Sequence, residues 1–256
     1  MSTFFFRLTQ VTMLCIFIGV CFLIYQTGYV QTIMELYQEA QEIAGTSSAE
    51  DFRADQQGEV YDTNGNTIAL LRNDRNIIYL SADEIPDYVK EAFVSIEDKR
   101  FYKHSGFDLI GIFRAVGSLI SSNSVSQGGS TITQQLARNV YLTHTVSWER
   151  KVEEIFIAIS LEKIYTKDEI LEFYINNIYF GNGYYGIEAA SQGYFSRSVS
   201  ELSLSETAFL CAIVNNPTYY DPLTNKENTL SRRDLILENM LDDGVISEAE
   251  YTEAVT

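Results

Sequence analysis

The sequence predicts a mostly α-helical domain with a small β-hairpin, preceded by one transmembrane helix. Three observations support this prediction. Beyond residue 86, apolar residues recur at helical spacing over most of the chain. Several predicted helices begin with a Ser or Thr followed three residues later by Glu, which is the capping-box pattern. The stretch from Leu8 to Met34 has no charged residue and is long enough to span a bilayer.

The apolar N-terminal stretch predicts a retained single-pass anchor. A cleaved signal peptide is the alternative, but Tyr25 and Tyr29 stand where a cleavage site would need small residues. Arg7 precedes the stretch and acids such as Glu35 follow it. The positive-inside rule therefore places the N-terminus in the cytoplasm and the domain outside.

The chain divides into three predicted parts, and the hairpin begins the third. We expect a cytoplasmic tip and transmembrane anchor at 1–34, a linker at 35–57 and a catalytic domain at 58–256. Asn64-Gly65 lies between alternating apolar runs, which is the strongest short-range hairpin pattern. The sequence "NIIYL" at 76–80 is considered as an additional strand.

The helices follow from apolar spacing and from their first residues. Pro86 begins a helix whose apolar face ends next to Glu97. A long helix is predicted from Trp148 to Tyr165, with Ser147 as its N-cap. The capping boxes predict the starts of three later helices: Thr166/Glu169, Ser203/Glu206 and Ser247/Glu250.

Composition and charge limit the function. Of 256 residues 46% are hydrophobic, which suits one well-buried domain, and three scattered cysteines exclude a disulfide framework or a zinc site. The net charge is −17, yet residues 97–167 hold 9 Lys/Arg against 7 Asp/Glu, and no acid lies between Leu109 and Trp148. This locally basic window predicts an anionic substrate. No nucleic-acid partner is predicted.

The segment "SIEDKRFYKHSGFD" is the first candidate site. It sets Glu97 at a helix C-terminus, where the helix dipole disfavours an acid. It also holds His104, one of only two histidines in the chain. The combination is typical of a cleft wall, whereas the structural alternative is a surface ion pair of Glu97 with Lys99 or Arg100.

Two further segments lie within the basic window. "GGSTITQQLARN" opens a helix whose N-terminal amides suit an anion; the alternative is an ordinary capped amphipathic helix. In "ERKVEE", Arg150, Lys151 and Glu154 share one helix face; the alternative is a weak surface pair. Two carboxylates among cations suit the displacement of a phosphate-bearing leaving group.

These motifs together resemble the peptidoglycan glycosyltransferases, the glycan-polymerising domain of class A penicillin-binding proteins and their monofunctional relatives. "EDKRFYKHSG", "GGSTITQQLARN", "RKVEE" and "KDEILEFYINNIYFGNGYYGIEAA" fall in the family's order, and the resemblance runs from about residue 58 to the C-terminus. It implies a two-lobed, lysozyme-like helical fold that polymerises lipid II on the outer face of the bacterial membrane.

The resemblance also implies residue roles. Glu97 is similar to the general base that deprotonates the acceptor GlcNAc 4-hydroxyl, and Glu154 to the acid that assists pyrophosphate departure, directly or through Mg²⁺ or Mn²⁺. No organic cofactor and no dedicated metal ligand are implied. The apolar helix at 109–120 resembles the family's membrane-dipping jaw. The substrate-binding or cleft-shaping positions are Asp98, Phe101, His104, Gly128, Ser130, Thr131, Gln134, Gln135, Arg138, Asn139, Arg150 and Lys151.

One position departs from the family pattern, and two other functions stay open. Residue 138 is Arg where the family usually has Lys, which changes the geometry of phosphate contact. A lysozyme-like muramidase or lytic transglycosylase would also use a Glu at a helix end. A non-catalytic membrane-anchored scaffold would need neither acid. Under the enzyme interpretation, other cell-wall synthesis proteins are expected partners.

Overall fold

The computed structural model describes six stretches of the chain: 26–53, 58–64, 67–71, 77–113, 129–142 and 147–256. Most of the predicted transmembrane segment, Gly65 of the predicted turn, Gly128 and residues 114–120 of the predicted jaw lie outside them. Within these six stretches, no helix is both long enough and apolar enough to cross a membrane.

The described residues are mostly helical, as the sequence predicts. Short 3₁₀ helices lie at Ala49–Phe52, Phe101–Lys103 and Val199–Glu201, and residues 109–113 are also helical. The labelled α-helices are α1 Tyr29–Thr46, α2 Asp87–Glu97, α3 Ile132–Tyr141, α4 Trp148–Leu161, α5 Lys167–Asn177, α6 Ile187–Phe195, α7 Leu204–Val214, α8 Lys226–Asp242 and α9 Glu248–Val255.

Two short strands precede the helical part. Strand β1, Gly58–Tyr61, pairs antiparallel with β2, Thr67–Leu71. The expected additional strand at 76–80 is not formed by residues 78–80. There, the Leu80 backbone N–H donates to the side-chain oxygen of Asn176, and the Leu80 carbonyl accepts from the same amide. The Asn176 side chain thus takes the place that a neighbouring strand would occupy.

The helix starts follow the local signals in the sequence. Ser147 caps α4, and the three predicted capping boxes are confirmed at α5, α7 and α9. Helix α4 ends at Leu161, four residues before the predicted end at Tyr165. The shorter helix leaves residues 162–165 to turn the chain toward Thr166, the N-cap of α5.

Two groups of helices meet around the predicted site. Helix α3 packs on α4 and α5, while α2 packs on α7 and α8, so that Glu97 at the end of α2 lies beside the C-terminal helices. In the core, Phe52 stacks on Phe173 with ring centroids 4.2 Å apart. Helix α1 runs along α4, where Tyr29 meets Trp148 edge-on at 5.4 Å.

Gly106 joins the segment after Glu97 to helix α4. Its φ of +84° is in the left-handed region, and a Cβ built there would lie 2.6 Å from the backbone of Ala158. Glycine permits both the conformation and the close approach. The loop that follows the candidate base is therefore pressed directly onto the helix that carries Glu154.

The described part of the predicted jaw is helical and faces solvent. In residues 109–113, the side chains of Leu109, Ile110 and Phe113 are more than half exposed. Large apolar side chains in such a position are typical of a surface that meets another apolar phase.

Candidate active site

Glu97 is buried at the C-terminus of helix α2, with only 8% of its surface exposed. Its two carboxylate oxygens have different surroundings. Oε2 accepts a hydrogen bond of 2.9 Å from Nε2 of Gln135. Oε1 has no hydrogen-bond partner among the described residues. A buried acceptor of this kind is costly unless a ligand completes it, which favours a functional role over a surface ion pair.

Gln135 connects Glu97 to the core. While its Nε2 donates to Glu97, its Oε1 accepts a hydrogen bond of 3.2 Å from the hydroxyl of Tyr174. Tyr174 is fully buried on α5. Burial, together with the negative charge of Glu97, raises the pKa of the Tyr174 hydroxyl well above its ordinary value, so the hydroxyl stays protonated.

Arg232 on α8 faces the other oxygen of Glu97. One terminal nitrogen of its guanidinium lies 3.9 Å from Oε1 of Glu97, and its side chain is only 10% exposed. The guanidinium also lies over the ring of Tyr220, 5.2 Å from the centroid. Arg232 was not among the sequence-predicted site residues, so the structure adds a cation to the site.

Glu154 is the second candidate acid and is also buried, with 3% of its surface exposed. Its carboxylate is paired with Lys151 one helical turn earlier, and Lys151 Nζ also donates to Ser130 Oγ at 2.8 Å. The Lys151 side chain is 45% exposed. Ser130 lies two residues before α3 and Gln135 lies in its first turns, so the start of this helix contacts the surroundings of both acids.

Asp98 and His104 form a buried polar cluster next to Glu97. The Asp98 carboxylate accepts from the backbone N–H of Ile132 at the start of α3, and it lies 2.9 Å from Nε2 of His104. On the other side, Nδ1 of His104 lies 3.8 Å from Glu162, whose carboxylate is paired with Lys167. The cluster fixes the start of α3 relative to the end of α2.

The first turn of α3 uses its polar residues to build the helix. Thr131 and Gln134 form a capping box, and Thr131 Oγ1 also donates to the Gly106 carbonyl at 2.8 Å. Both residues are buried. The Thr131 hydroxyl and the Gln134 side-chain oxygen, both at predicted substrate-binding positions, are therefore engaged within the protein.

The remaining predicted positions lie around these two acids or outside the described residues. Arg138 lies close enough to Tyr174 for its charge to act on the hydroxyl. Phe101 is fully buried, with Lys167 Nζ 4.3 Å above its ring. The half-buried members of the set are Ser130, Gln135, Arg138, Asn139 and Arg150, and Gly128 lies outside the described stretches.

The divalent cation that could assist Glu154 stays a prediction. None of the residues placed by the structure form a group of three His, Cys, Asp or Glu side chains that could hold a metal ion. The Glu154 carboxylate is already neutralised by Lys151. We therefore derive no chemical step through a divalent cation.

The arrangement provides a buried carboxylate, Glu97, with one oxygen that has no hydrogen-bond partner among the described residues. It also provides a second carboxylate, Glu154, paired with Lys151, whose side chain is 45% exposed. The Glu97 carboxylate can take up a proton, and the Lys151–Glu154 pair can stabilise negative charge that develops during a reaction. A model of the family described as Transglycosylase matches residues 64–241 of the chain.

The chain belongs to the transglycosylase family.

Relatives of this transglycosylase domain are penicillin-binding proteins. Penicillin-binding protein 4 of Bacillus subtilis (strain 168) is 46% identical over 197 residues, which cover 77% of this chain and 32% of that protein. Penicillin-binding protein 1A of Escherichia coli (strain K12) is 38% identical over 240 residues, covering 93% and 28%. The chain thus spans about a third of the length of these relatives. The resemblance to the glycosyltransferase domain of class A penicillin-binding proteins is confirmed.

Sequence reasoning missed three residues that contact this transglycosylase site. Arg232 stands in "SRRDLIL", an arginine pair within an otherwise acidic C-terminal region, and that pair was a usable signal. Tyr174 lies within the motif at 167–190, where an aromatic residue at helical spacing predicts core, and its ring is buried. Glu162 follows α4 and gave no signal, because its partner His104 lies far away in the sequence.

Proposed function

We propose that this domain polymerises lipid II into linear glycan strands. In this reaction the growing lipid-linked chain is the donor and a lipid II molecule is the acceptor. The proposal is supported by membership of the transglycosylase family and by the surroundings of Glu97 and Glu154. The observation that carries it is the buried Oε1 of Glu97, which lacks a hydrogen-bond partner among the described residues while Oε2 is held by Gln135.

Glu97 is the general base of the proposed reaction. Oε1 takes the proton from the GlcNAc 4-hydroxyl of the acceptor as the hydroxyl oxygen attacks C1 of the donor sugar. The new C1–O4 bond forms on the face opposite the bond that breaks, so the configuration at C1 inverts. The electrons of the broken C1–O bond leave with undecaprenyl pyrophosphate, and the proton remains on Glu97.

Lys151 and Glu154 form the proposed leaving-group side. The Lys151 side chain is partly exposed, and its ammonium group is proposed to contact the pyrophosphate while paired with Glu154. Negative charge increases on the pyrophosphate as the bond to C1 breaks, and a nearby cation stabilises that charge. Arg138 and Arg150 belong to the same basic window and are proposed to hold the pyrophosphate with Lys151.

The finer features of the fold and the location also belong to this proposal. We expect the helices to form the two lobes of a lysozyme-like domain on the outer side of the bacterial cell membrane. The uncharged residues before Glu35 would anchor the chain with its N-terminus in the cytoplasm. The exposed apolar turn at 109–113 would begin the jaw that contacts lipid. Other cell-wall synthesis proteins are further proposed partners.

The decisive experiment is incubation of the purified protein with lipid II in detergent, with separation of the products by length. Long glycan strands are expected from the wild-type protein, and none from Glu97→Gln, which keeps the size of the side chain but cannot accept the proton. The folding of the variant is checked by circular dichroism.

The same experiment separates the alternatives. Shortening of pre-made glycan without new strands would identify a lytic enzyme and contradict the proposal. Equal products from wild type and Glu97→Gln would contradict the role of Glu97. A wild-type protein that is folded, binds membranes and acts on neither substrate would favour a scaffold.

A further inference from the structure

We propose that Tyr174 is a positioning residue that orients the Glu97 carboxylate through the side chain of Gln135. The inference rests on the proposed role of Glu97 as the general base and adds to it a relay of three side chains. The hydroxyl of Tyr174 donates to Oε1 of Gln135 at 3.2 Å, and Nε2 of Gln135 donates to Oε2 of Glu97 at 2.9 Å.

The relay works because each member has a fixed direction of donation. An ionised carboxylate can only accept hydrogen bonds, so Gln135 must turn its Nε2 toward Glu97. This orientation leaves Oε1 of Gln135 facing the core, where it needs a donor. The Tyr174 hydroxyl supplies that donor. Without the hydroxyl, the amide would be held at one end only, and its hold on Glu97 would weaken.

The position of Tyr174 makes the relay rigid. The residue is fully buried, and its ring meets Phe93 edge-on at 5.8 Å. Phe93 lies on α2, the helix that ends in Glu97. Core packing therefore fixes the Tyr174 hydroxyl relative to α2 and to Glu97 at its end. A phenylalanine would fill nearly the same volume, so the hydroxyl can be removed without opening a large cavity.

The hydroxyl keeps its role over the whole working pH range. Burial and the charge of Glu97 raise the pKa of Tyr174 well above its ordinary value, so the hydroxyl remains a donor. The other charged or titratable groups that act on this part of the site are Arg232, Arg138, Asp98 and Cys211. None of them is changed by removing the hydroxyl, so its effect can be measured alone.

The consequence for the reaction is positional. With Oε2 bound to Gln135, the carboxylate cannot rotate freely, and Oε1 is presented for the proton of the acceptor hydroxyl. A base held within a few tenths of an ångström of its proton gains rate without tighter substrate binding. The relay should therefore act on kcat and leave KM for lipid II unchanged.

The test is Tyr174→Phe, with Tyr194→Phe as the matched control. The Tyr194 hydroxyl is also shielded, but it donates to the backbone carbonyl of Phe180. For Tyr174→Phe we expect kcat to fall about five- to tenfold with KM unchanged. The acidic limb of the kcat–pH profile should move to higher pH, because Gln135, no longer held by the Tyr174 hydroxyl, stabilises the ionised Glu97 carboxylate less well. Tyr194→Phe should match wild type.

A second readout is independent of activity. The side-chain amide resonances of Gln135 in ¹⁵N-labelled protein are identified by their loss in Gln135→Leu. They should shift in Tyr174→Phe and not in Tyr194→Phe. If Tyr174→Phe does not fold, Gln135→Leu is used instead, and an unchanged kcat in that variant overturns the relay, because in the relay Tyr174 reaches Glu97 only through Gln135.

The outcomes separate this inference from the proposed function. If wild type polymerises lipid II but Tyr174→Phe keeps the wild-type kcat and pH profile, the relay is overturned and the polymerase function stands. If wild type makes no polymer, the proposed function fails. The resonances of Gln135 then decide the relay alone: unchanged signals in Tyr174→Phe overturn it, and shifted signals support it.

Discussion

The two buried carboxylates of the site are stabilised in different ways. Glu97 accepts a hydrogen bond from a neutral amide, and its nearest cation among the described residues, Arg232, stays 3.9 Å away. Glu154 is paired directly with Lys151, whose side chain is almost half exposed. Within the part of the chain that the structure describes, Glu97 thus keeps an oxygen without a hydrogen bond, whereas the charge of Glu154 is compensated by Lys151.

The difference assigns different tasks to two chemically similar residues. A general base must be ionised and must have a lone pair free to accept the proton. The Gln135 amide stabilises the ionised carboxylate and leaves Oε1 free. A closely paired ammonium group would instead occupy that oxygen and make it a weaker base. A group that meets a departing diphosphate must bring positive charge, and the Lys151–Glu154 pair does so with an accessible lysine. Four experiments test this contrast.

The largest effect is expected from neutralising the two acids separately. Glu97→Gln should lower the rate of lipid II polymerisation about 10³-fold or more, because the proton acceptor is lost. Glu154→Gln should lower it about 10²-fold, since Lys151 can still meet the pyrophosphate. Single-turnover rates at saturating lipid II measure both. Equal losses in the two variants would remove the contrast.

The next effect concerns the close contact of Gly106, which follows Glu97 in the chain, with the helix that carries Glu154. Gly106→Ala forces a Cβ against the backbone of Ala158 at a φ of +84°, and the free energy of unfolding should fall by about 3 kcal/mol. Gly183→Ala is the matched control, with the same φ and no atom within 4 Å, and should cost about 1 kcal/mol. Urea denaturation measures both. Equal costs would show that the close approach to α4 is unimportant.

A smaller effect is expected from removing the accessible cation. Lys151→Ala should lower kcat/KM for lipid II about 10- to 100-fold, because a charge-assisted contact to the pyrophosphate is lost. Lys151→Arg should retain most of the activity. Lys226→Ala, an exposed lysine outside the basic window, should have no effect. If Lys226→Ala were as harmful as Lys151→Ala, the argument from local charge would fail.

The smallest effect concerns a carboxylate that only begins a helix. Burial alone would raise the pKa of Glu206, but hydrogen bonds from Ser203 and the ion pair with Arg197 lower it below its ordinary value. Its stabilisation is therefore present above about pH 4.5 and is lost as the pH falls through the lowered pKa. At pH 7, Glu206→Gln should cost less than about 1 kcal/mol.

Thermal unfolding at several pH values checks the Glu206 prediction. The difference from wild type should vanish in acid, and polymerisation should be unchanged. Glu227→Gln, an exposed acid in the first turn of α8, should show no such pH dependence. A loss of activity in Glu206→Gln would show that this helix-capping carboxylate also affects the reaction, contrary to the prediction.

Features set by neighbouring residues were predictable from the sequence. The N-cap of α4 and the capping boxes of α5, α7 and α9 depend on residues three apart, and all are confirmed. Glu97 was expected at a helix end for the same reason, since the apolar face of α2 stops there. The sharing of one face by Lys151 and Glu154 also follows from helical spacing.

Features set by packing between distant segments were not predictable. The approach of Arg232 to Glu97 depends on how α8 lies against α2, and no local spacing reports that. The hydrogen bond from Tyr174 to Gln135 joins residues on two different helices. The early end of α4 reflects the turn that the chain must make before Thr166, which competes with helical propensity over 162–165.

The edge-on contact between Tyr29 and Trp148 has a practical consequence. Trp148 is the single tryptophan of the chain, is 43% exposed, and begins the helix that carries Glu154. Its intrinsic fluorescence therefore comes from one known place, where α1 touches the active-site helix. The unlabelled protein carries its own optical probe of detergent, vesicle or inhibitor binding at that junction, and Tyr29→Ala would calibrate the signal.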